Sequence, residues 1–328
     1  MSHKHKSDIT RRNFLAGCGC AAAMGLFKPA LSFAQDGNNP DSKELTFFVT
    51  ADTHYGRFQA KNNSAGNKST IEHINSAPGK VKYPDFIGGG LVKEPKGVLV
   101  AGDLTDHAKK EEFFGYDKFD GFDDDYKIDG SGKVKYPVYE GYGNHDYELN
   151  GVGHAARDAI KERNKTRKGM TAVSDNGYHY SWDWENIHFV NLNLFPGRID
   201  KKLGEGKISQ PMNSLDFLIK DLKENVGKSK RPVVLYHHYG MEDNSLWWWT
   251  AKDRNEYHKV IKDYNIIGIF HGHSHQDMIY TWKGISVYNV NTALYGGWAI
   301  VRIKNNQMFV GLRRWHEWSI IAKKTIKI

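Results

Sequence analysis

Cysteine is nearly missing from this chain, with Cys18 and Cys20 the 2 among 328 residues. Everything downstream of Cys20 is therefore without disulfides, and packing or bound metal must hold it together. Proline is scarce too, at 9 residues, too few for an extended linker or a collagen-like chain. No apolar run approaches the roughly 20 residues of a membrane-spanning helix. No repeat of about 20–50 residues and no Pro- or Ser-rich linker divides the chain. No G-x-x-x-x-G-K-[S/T] or G-x-G-x-x-G string follows a strand-like segment, and Gly88-Gly89-Gly90 reads as a flexible turn with no helix start behind it. Nucleotide-cofactor chemistry thus has no support. Disorder is excluded by what is present, 39% hydrophobic and 13% aromatic residues.

Residues 1–34 read as an address rather than as fold. Thr10-Arg11-Arg12-Asn13-Phe14-Leu15 resembles the bacterial twin-arginine (Tat) export signal, followed by an apolar stretch from Phe14 to Phe27. Lys28-Pro29 breaks that stretch, and Ser32-Phe33-Ala34 offers small residues for cleavage. The resemblance implies a Tat-exported, periplasmic or secreted protein. Leu15-Ala16-Gly17-Cys18 looks like a lipoprotein box, but its apolar lead-in is short, so lipid anchoring at Cys18 is the lesser reading. Cleavage after Ala34 removes three lysines, two arginines and one aspartate, taking the formal charge from +8 to +4. Both cysteines leave with it. The Tat route carries folded cargo, which suits a protein that takes up metal before export.

In residues 35–328 a short apolar run repeatedly ends in polar residues able to hold metal. Leu45–Thr50 leads to Asp52 and His54, Val98-Leu99-Val100 to Asp103, Pro137–Tyr139 to Asn144-His145, Pro232–Tyr236 to His237-His238, and Ile266–Phe270 to His273 and His275. Buried strands of an α/β protein have this look, with function on the loops past their carboxyl ends. Helical spacing is visible over Met212–Asn225 and Ala251–Tyr264. Tyr178–Trp182 with Ile187–Asn191, and Ala299–Ile303 with Met308–Leu312, read as hairpins around Asp183–Asn186 and Asn305-Asn306. The expectation is one α/β domain of two packed sheets with helical flanks.

Two aspartates, an asparagine and four histidines stand at those strand ends, all metal-ligand types. Imidazole nitrogen and carboxylate oxygen hold borderline or hard divalent ions, and one carboxylate can bridge two of them. A lone Asp-x-His pair is more often a surface turn, and a lone strand histidine a satisfied core residue. The strings are more specific together: Asp52-Thr53-His54, Gly102-Asp103-Leu104-Thr105-Asp106, Gly143-Asn144-His145-Asp146, His237 within Leu235-Tyr236-His237-His238, and Gly272-His273-Ser274-His275. In that order they resemble the calcineurin-like metallophosphoesterase superfamily, whose pattern is D-x-H, GDxxD, GNH-D/E, a lone H and GHxH.

The resemblance implies a four-layer αββα sandwich, two packed mixed sheets flanked by helices, and one catalytic domain over 35–328. It implies two divalent or trivalent metal ions, Fe, Zn, Mn or similar, the first held by Asp52, His54 and His275, the second by Asn144, His237 and His273, with Asp103 as the bridge. It implies hydrolysis of phosphomonoesters or phosphodiesters by metal-bridged hydroxide. His145 is the family's candidate proton donor to the leaving oxygen, with Asp106 orienting and charging its imidazole; electrostatic stabilisation without proton transfer stays open for His145. His238 is assigned to packing or to supporting a ligand, and with Asn144 it is a weak candidate for substrate contact. Asp146 is either an acceptor behind the ligands or a loop N-cap, and Arg57 either reaches a phosphate or is a solvated loop residue. Purple acid phosphatases carry tyrosine where this chain has Asp106 and lack the histidine of Asp-x-His, so no iron–tyrosinate colour is expected.

Three weaker features stand beside these. Trp247-Trp248-Trp249 is read as packing with one indole facing the site, where it could stack a nucleoside or aryl group. Asp123–Gly132 faintly resembles a calcium loop, but Lys127 and Tyr136 occupy donor positions, leaving an acidic surface turn. Lys161–Lys168 is read as the solvated basic face of a helix. The expected partners are a small organic phosphate and the Tat machinery. A metal-dependent nuclease would want a basic groove with interleaved aromatics, against which the +4 charge and scattered lysines argue. A non-catalytic metal-binding scaffold would not need all seven ligands, His145 and Asp106 intact.

Overall fold

The apolar runs that end in polar residues are strands. The computed structural model describes residues 44–57, 65–117, 119–147, 154–198, 201–202 and 208–328; the export signal expected over 1–34 lies outside them. In chain order the strands are β1 (Leu45–Thr50), β2 (Val98–Ala101), β3 (Val138–Gly141), β4 (Met170–Val173), β5 (Tyr180–Trp184), β6 (Ile187–Asn191), β7 (Lys201–Lys202), β8 (Ile208–Ser209), β9 (Val233–Tyr236), β10 (Ile266–His271), β11 (Met278–Trp282), β12 (Ile285–Asn289), β13 (Gly297–Lys304), β14 (Gln307–Arg314) and β15 (Glu317–Thr325). The helices are α1 (Ala65–Ser76), α2 (Lys110–Phe114), α3 (Phe122–Asp125), α4 (Ala155–Thr166), α5 (Ser214–Asp221) and α6 (Ala251–Ile261).

One sheet has the order β15-β14-β13-β1-β2-β3 and the other β11-β12-β10-β9-β6-β5-β4, with β7 and β8 a separate ribbon. In the first, β1, β2 and β3 are parallel and β13, β14 and β15 antiparallel. In the second, β6, β9, β10 and β12 run parallel between antiparallel edges. Both sheets are therefore mixed.

Side-chain alternation builds the layers. Leu45, Phe47 and Val49 of β1 meet Phe189, Val234, Tyr236 and Phe270 of the other sheet in one apolar cluster. Phe47 alone touches the rings of Phe189 at 5.2 Å and Phe270 at 6.0 Å. The alternate residues Phe48, Val98 and Val100 join Ile71 and Ile74 of α1, while Val233, Leu235 and Ile269 join Leu218 of α5 and Tyr257 and Ile261 of α6. The result is the expected α/β arrangement of two mixed sheets with helices flanking them.

The details differ from expectation where local chemistry intervenes. Met212 and Asn213 have left-handed φ of 51° and 59°, so α5 begins only at Ser214, and Leu222–Val226 winds as a π-turn. In the first hairpin Trp184 pairs with Ile187, moving the turn to Glu185-Asn186 with Glu185 at φ 54°. Asn305 and Asn306, both at positive φ, join β13 to β14, the backbone a two-residue hairpin turn demands. The basic run is solvated only in part: Lys165 and Lys168 are exposed, but Arg163 and Arg167, one helical turn apart, bury their guanidinium groups on Glu140, at 3.0 and 2.6 Å. Glu140 is fully buried, so this ion pair ties α4 to β3. The acidic loop is spent on protein partners: Asp125 takes Tyr55 Oη at 2.6 Å and Lys133 at 2.8 Å, and Asp123 takes Lys127 and Arg163. Among the described residues no helix is long and apolar enough to cross a membrane.

Candidate metal centre

Parallel strands place their carboxyl ends together, and β1, β2, β3, β9 and β10 each deliver a loop to the same edge of the two sheets. The chain must reverse sharply there while keeping short polar side chains aimed inward. Asp52, His54, Asp103, His273 and His275 all adopt left-handed φ, between 43° and 71°. Such backbone costs about 1–3 kcal/mol per residue and persists where the surroundings enforce it. The enforcement is visible. Asp52 N donates to Gly102 O and His54 N to Asp103 O, at 2.9 and 3.0 Å. Thr53 Oγ1 donates to Leu104 O and Thr292 Oγ1 to Asp52 O. Gly102 and Gly143 are needed as glycines because a Cβ would strike the His238 ring and Asp103 respectively.

Asp103 stands at the centre. On one side His54 Nε2 lies 3.7 Å from Asp103 Oδ2, 3.9 Å from Asp52 Oδ1 and 3.2 Å from His275 Nε2, which is itself 3.2 Å from Asp52 Oδ1. On the other side His238 Nε2 lies 3.1 Å from Asp103 Oδ2 and 3.0 Å from Asn144 Oδ1, with His273 completing the group. Both rings have their proton engaged at the back: His54 Nδ1 donates to Asp106 Oδ1 at 2.9 Å, and His238 Nδ1 to Ala101 O at 2.8 Å. Their Nε2 lone pairs thus converge with carboxylate and amide oxygens at spacings near the roughly 3.0–3.5 Å expected between ligands of one ion. Lone pairs facing one another in a buried site need a cation between them. The side chains fit metal.

The electrostatics agree. Burial acts to keep His238 neutral, but the Asp103 and Asp52 carboxylates override it and raise it to about 9, the mark of a place rich in negative charge that a metal ion would satisfy with the ring neutral. Burial acts against ionised Asp103, yet His238, His145 and His54 hold its carboxyl well below the usual range. Burial lowers His273 to about 3, keeping that imidazole neutral as a ligand must be.

His237 is not in this cluster. Its Nδ1 donates to Tyr239 O at 2.7 Å, and its ring faces Trp249 and Tyr257 in the outer core. The reason is strand phase. Val234 and Tyr236 face the second sheet's partner and Val233 and Leu235 face the helices, so His238 continues the inner row and His237 the outer one. That alternation is readable in the sequence, and it places His238 rather than His237 beside Asp103 and Asn144.

His145 reaches the first side, its ring 4.7 Å from that of His54. Its support differs from expectation: Nδ1 donates to the backbone carbonyl of Asp106 at 2.7 Å, while the Asp106 carboxylate is 3.8 Å away and bonded to His54. Asp146 is fully buried and accepts from Gly143 N, Leu104 N and Thr105 N at 2.8–3.0 Å, stitching two motif loops together. Burial and Asp103 push its carboxyl up to about 6 against those N–H groups. Arg57 is part-exposed at the rim, 3.9 Å from Asp106.

The pattern of calcineurin-like phosphoesterases matches residues 45–277, more than half of the chain and every loop just described. The chain belongs to the calcineurin-like phosphoesterase family. Its fold is similar to a dimetal phosphatase from Danio rerio, at 12% identity and TM-score 0.54, covering 86% of this chain and 99% of that one. It is also similar to the anchor in the inner membrane complex of Plasmodium, at 12% identity and TM-score 0.55, covering 87% and 90%. No curated protein matches the chain.

Within this family fold the tryptophan triplet divides its tasks. Trp249 is buried against His237 and Phe195, and Trp248 meets the His273 ring edge-to-face at 5.3 Å. Trp247 is 84% exposed. Sequence reasoning missed two residues that shape the site. Tyr239 packs on His273 at 4.6 Å. Asn289, at the end of β12, donates to Ser274 inside the GHxH loop. Neither carries a local signal, since both come from outside the motifs.

Proposed function

We propose that this protein is an exported, metal-dependent phosphoesterase that hydrolyses small organic phosphate esters. Two ions would be held by Asp52, His54 and His275 on one side and by Asn144, His238 and His273 on the other, with Asp103 shared. The observation that carries the reading is the convergence of His54 Nε2 and His238 Nε2 on opposite sides of one buried carboxylate. Imidazole with hard oxygen ligands suits Fe, Zn or Mn. When bound, such ions supply Lewis acidity, polarising phosphoryl oxygens and making water acidic near neutral pH.

The chain's own residues do the rest. The bond from His145 Nδ1 to the Asp106 carbonyl leaves Nε2 facing the cleft, where in the protonated ring it donates to the departing oxygen. Asp106 draws on the His54 ring proton and strengthens its Nε2 as a ligand. Arg57, at the rim, adds positive charge for an incoming phosphate. In the balanced reaction water oxygen joins phosphorus, the ester P–O bond breaks, and the released alcohol takes the proton. The Tat-like segment at Thr10–Leu15 supports a periplasmic or secreted location.

The test is metal content by elemental analysis of untagged protein, paired with hydrolysis of p-nitrophenyl phosphate and bis(p-nitrophenyl) phosphate. Near two transition-metal ions per chain with turnover is the expected result. No metal and no turnover after reconstitution with Mn, Zn and Fe would overturn the reading.

A further inference from the structure

The two ends of the side-chain cluster are unlike. At one end His145 lies against His54, and the rim beyond carries the polar groups Arg57 and His107, both substantially exposed beside Asp106. At the other end, across Asp103, His238 contacts His273 at 5.1 Å and His273 contacts the half-buried Trp248. The chain then presents Leu246 at 42% and Trp247 at 84% exposure. Trp249 already supplies the packing, so the exposed indole of Trp247 is spare for the fold. A phosphate seated over the cluster with its departing oxygen at His145 would keep another oxygen on the His273 side, where Trp248 stands. A monoester has no organic group on that oxygen, and a diester has one.

We infer that Trp247 and Trp248 form a ledge binding a flat aromatic group on the non-departing ester oxygen of a phosphodiester substrate. The inference rests on the phosphoesterase reading and narrows it. An aromatic group gains from an indole face by stacking, and Trp247 and Trp248 supply two such faces on the His273 side. Water oxygen adds to phosphorus, the P–O bond at His145 breaks, the departing oxygen takes a proton, and the aryl monoester remains on the ledge until release.

The experiment compares phenyl p-nitrophenyl phosphate with ethyl p-nitrophenyl phosphate, which share a leaving group and differ only on the retained oxygen. The wild-type protein, loaded with Mn, is expected to favour the phenyl ester in kcat/KM by about tenfold. Trp247→Ala brings that preference down to near one, a loss within the span of single stacking contacts, and Trp247→Phe keeps most of it. A wild-type preference near one, or a preference that Trp247→Ala leaves unchanged, overturns the ledge while leaving phosphoesterase activity standing. Equilibrium binding of phenylphosphonate and ethylphosphonate to the same proteins separates the two readings. A phenyl preference lost in Trp247→Ala, with neither ester turned over, supports the ledge and sinks the esterase reading; equal binding of both phosphonates overturns the ledge.

Discussion

Replacing the two adjacent histidines one at a time separates a ligand from a core residue. His238→Ala removes an Nε2 that faces Asp103 and Asn144 at 3.1 and 3.0 Å. Losing a partner behind a ligand already costs about 10–100-fold in metal affinity, so losing the ligand itself costs more. His237→Ala acts elsewhere. It deletes a fully buried ring, leaves the Tyr239 carbonyl without its donor, and opens a hole between Trp249 and Tyr257. The cavity and the hydrogen bond together cost about 2–4 kcal/mol. The lower half of that range is expected, because His237 Nε2 is buried without a hydrogen-bond partner among the described residues and its removal relieves that penalty. Metal titration by calorimetry and urea denaturation read the two effects independently. His238→Ala should lose metal at the second site, and His237→Ala should lose stability while keeping its metal stoichiometry. Loss of metal from folded His237→Ala, with retention in His238→Ala, would refute the strand-phase argument.

Further outcomes follow from other contacts. Asp106→Asn weakens the acceptor behind His54 and should reduce metal affinity at the first site by about 10–100-fold in the same titration; unchanged affinity would remove Asp106 from that role. His145→Ala should leave metal content intact while kcat falls roughly 10²–10⁴-fold, the range for a lost proton donor, and an unchanged kcat would refute it. His188, away from the centre, sits between Asp183 at 2.7 Å and Asp221 at 2.6 Å, with Arg231 also on Asp183. Burial opposes its charge, but the two carboxylates raise it above its ordinary 6.5. Its contribution is therefore full below 6.5 and lost as pH climbs through the raised value. Asp183, depressed below 3.8 by the same partners against burial, contributes above 3.8 and loses that as pH falls. The stability gap between wild type and His188→Asn should be widest between those limits and narrow on the alkaline side; a gap that widens above pH 7 would contradict the assignment.

The five motif loops were legible because each is local: a glycine, a turn and a ligand type follow an apolar strand within a few residues. The strands over Leu45–Thr50 and Ile266–His271 and the Asn305-Asn306 hairpin were legible for the same reason, as short apolar runs closed by turn residues. Element edges were less so. Met212 and Asn213 look helical in spacing but bend left-handed where the chain enters α5. Arg163 and Arg167 look like surface charge because their partner, Glu140, is over 20 residues away in sequence.

The family, the two-sheet architecture and the residue types gathered for metal are all written in short segments of the chain. The tertiary structure alone decided how those residues pair. Asp106 turns its carboxylate to His54 and its carbonyl to His145, and Trp248 rather than Trp249 meets His273. The physical reason is that a ligand's partner comes from another strand end. Which of two neighbours faces it depends on the phase of pleat and loop across a distance no local pattern spans.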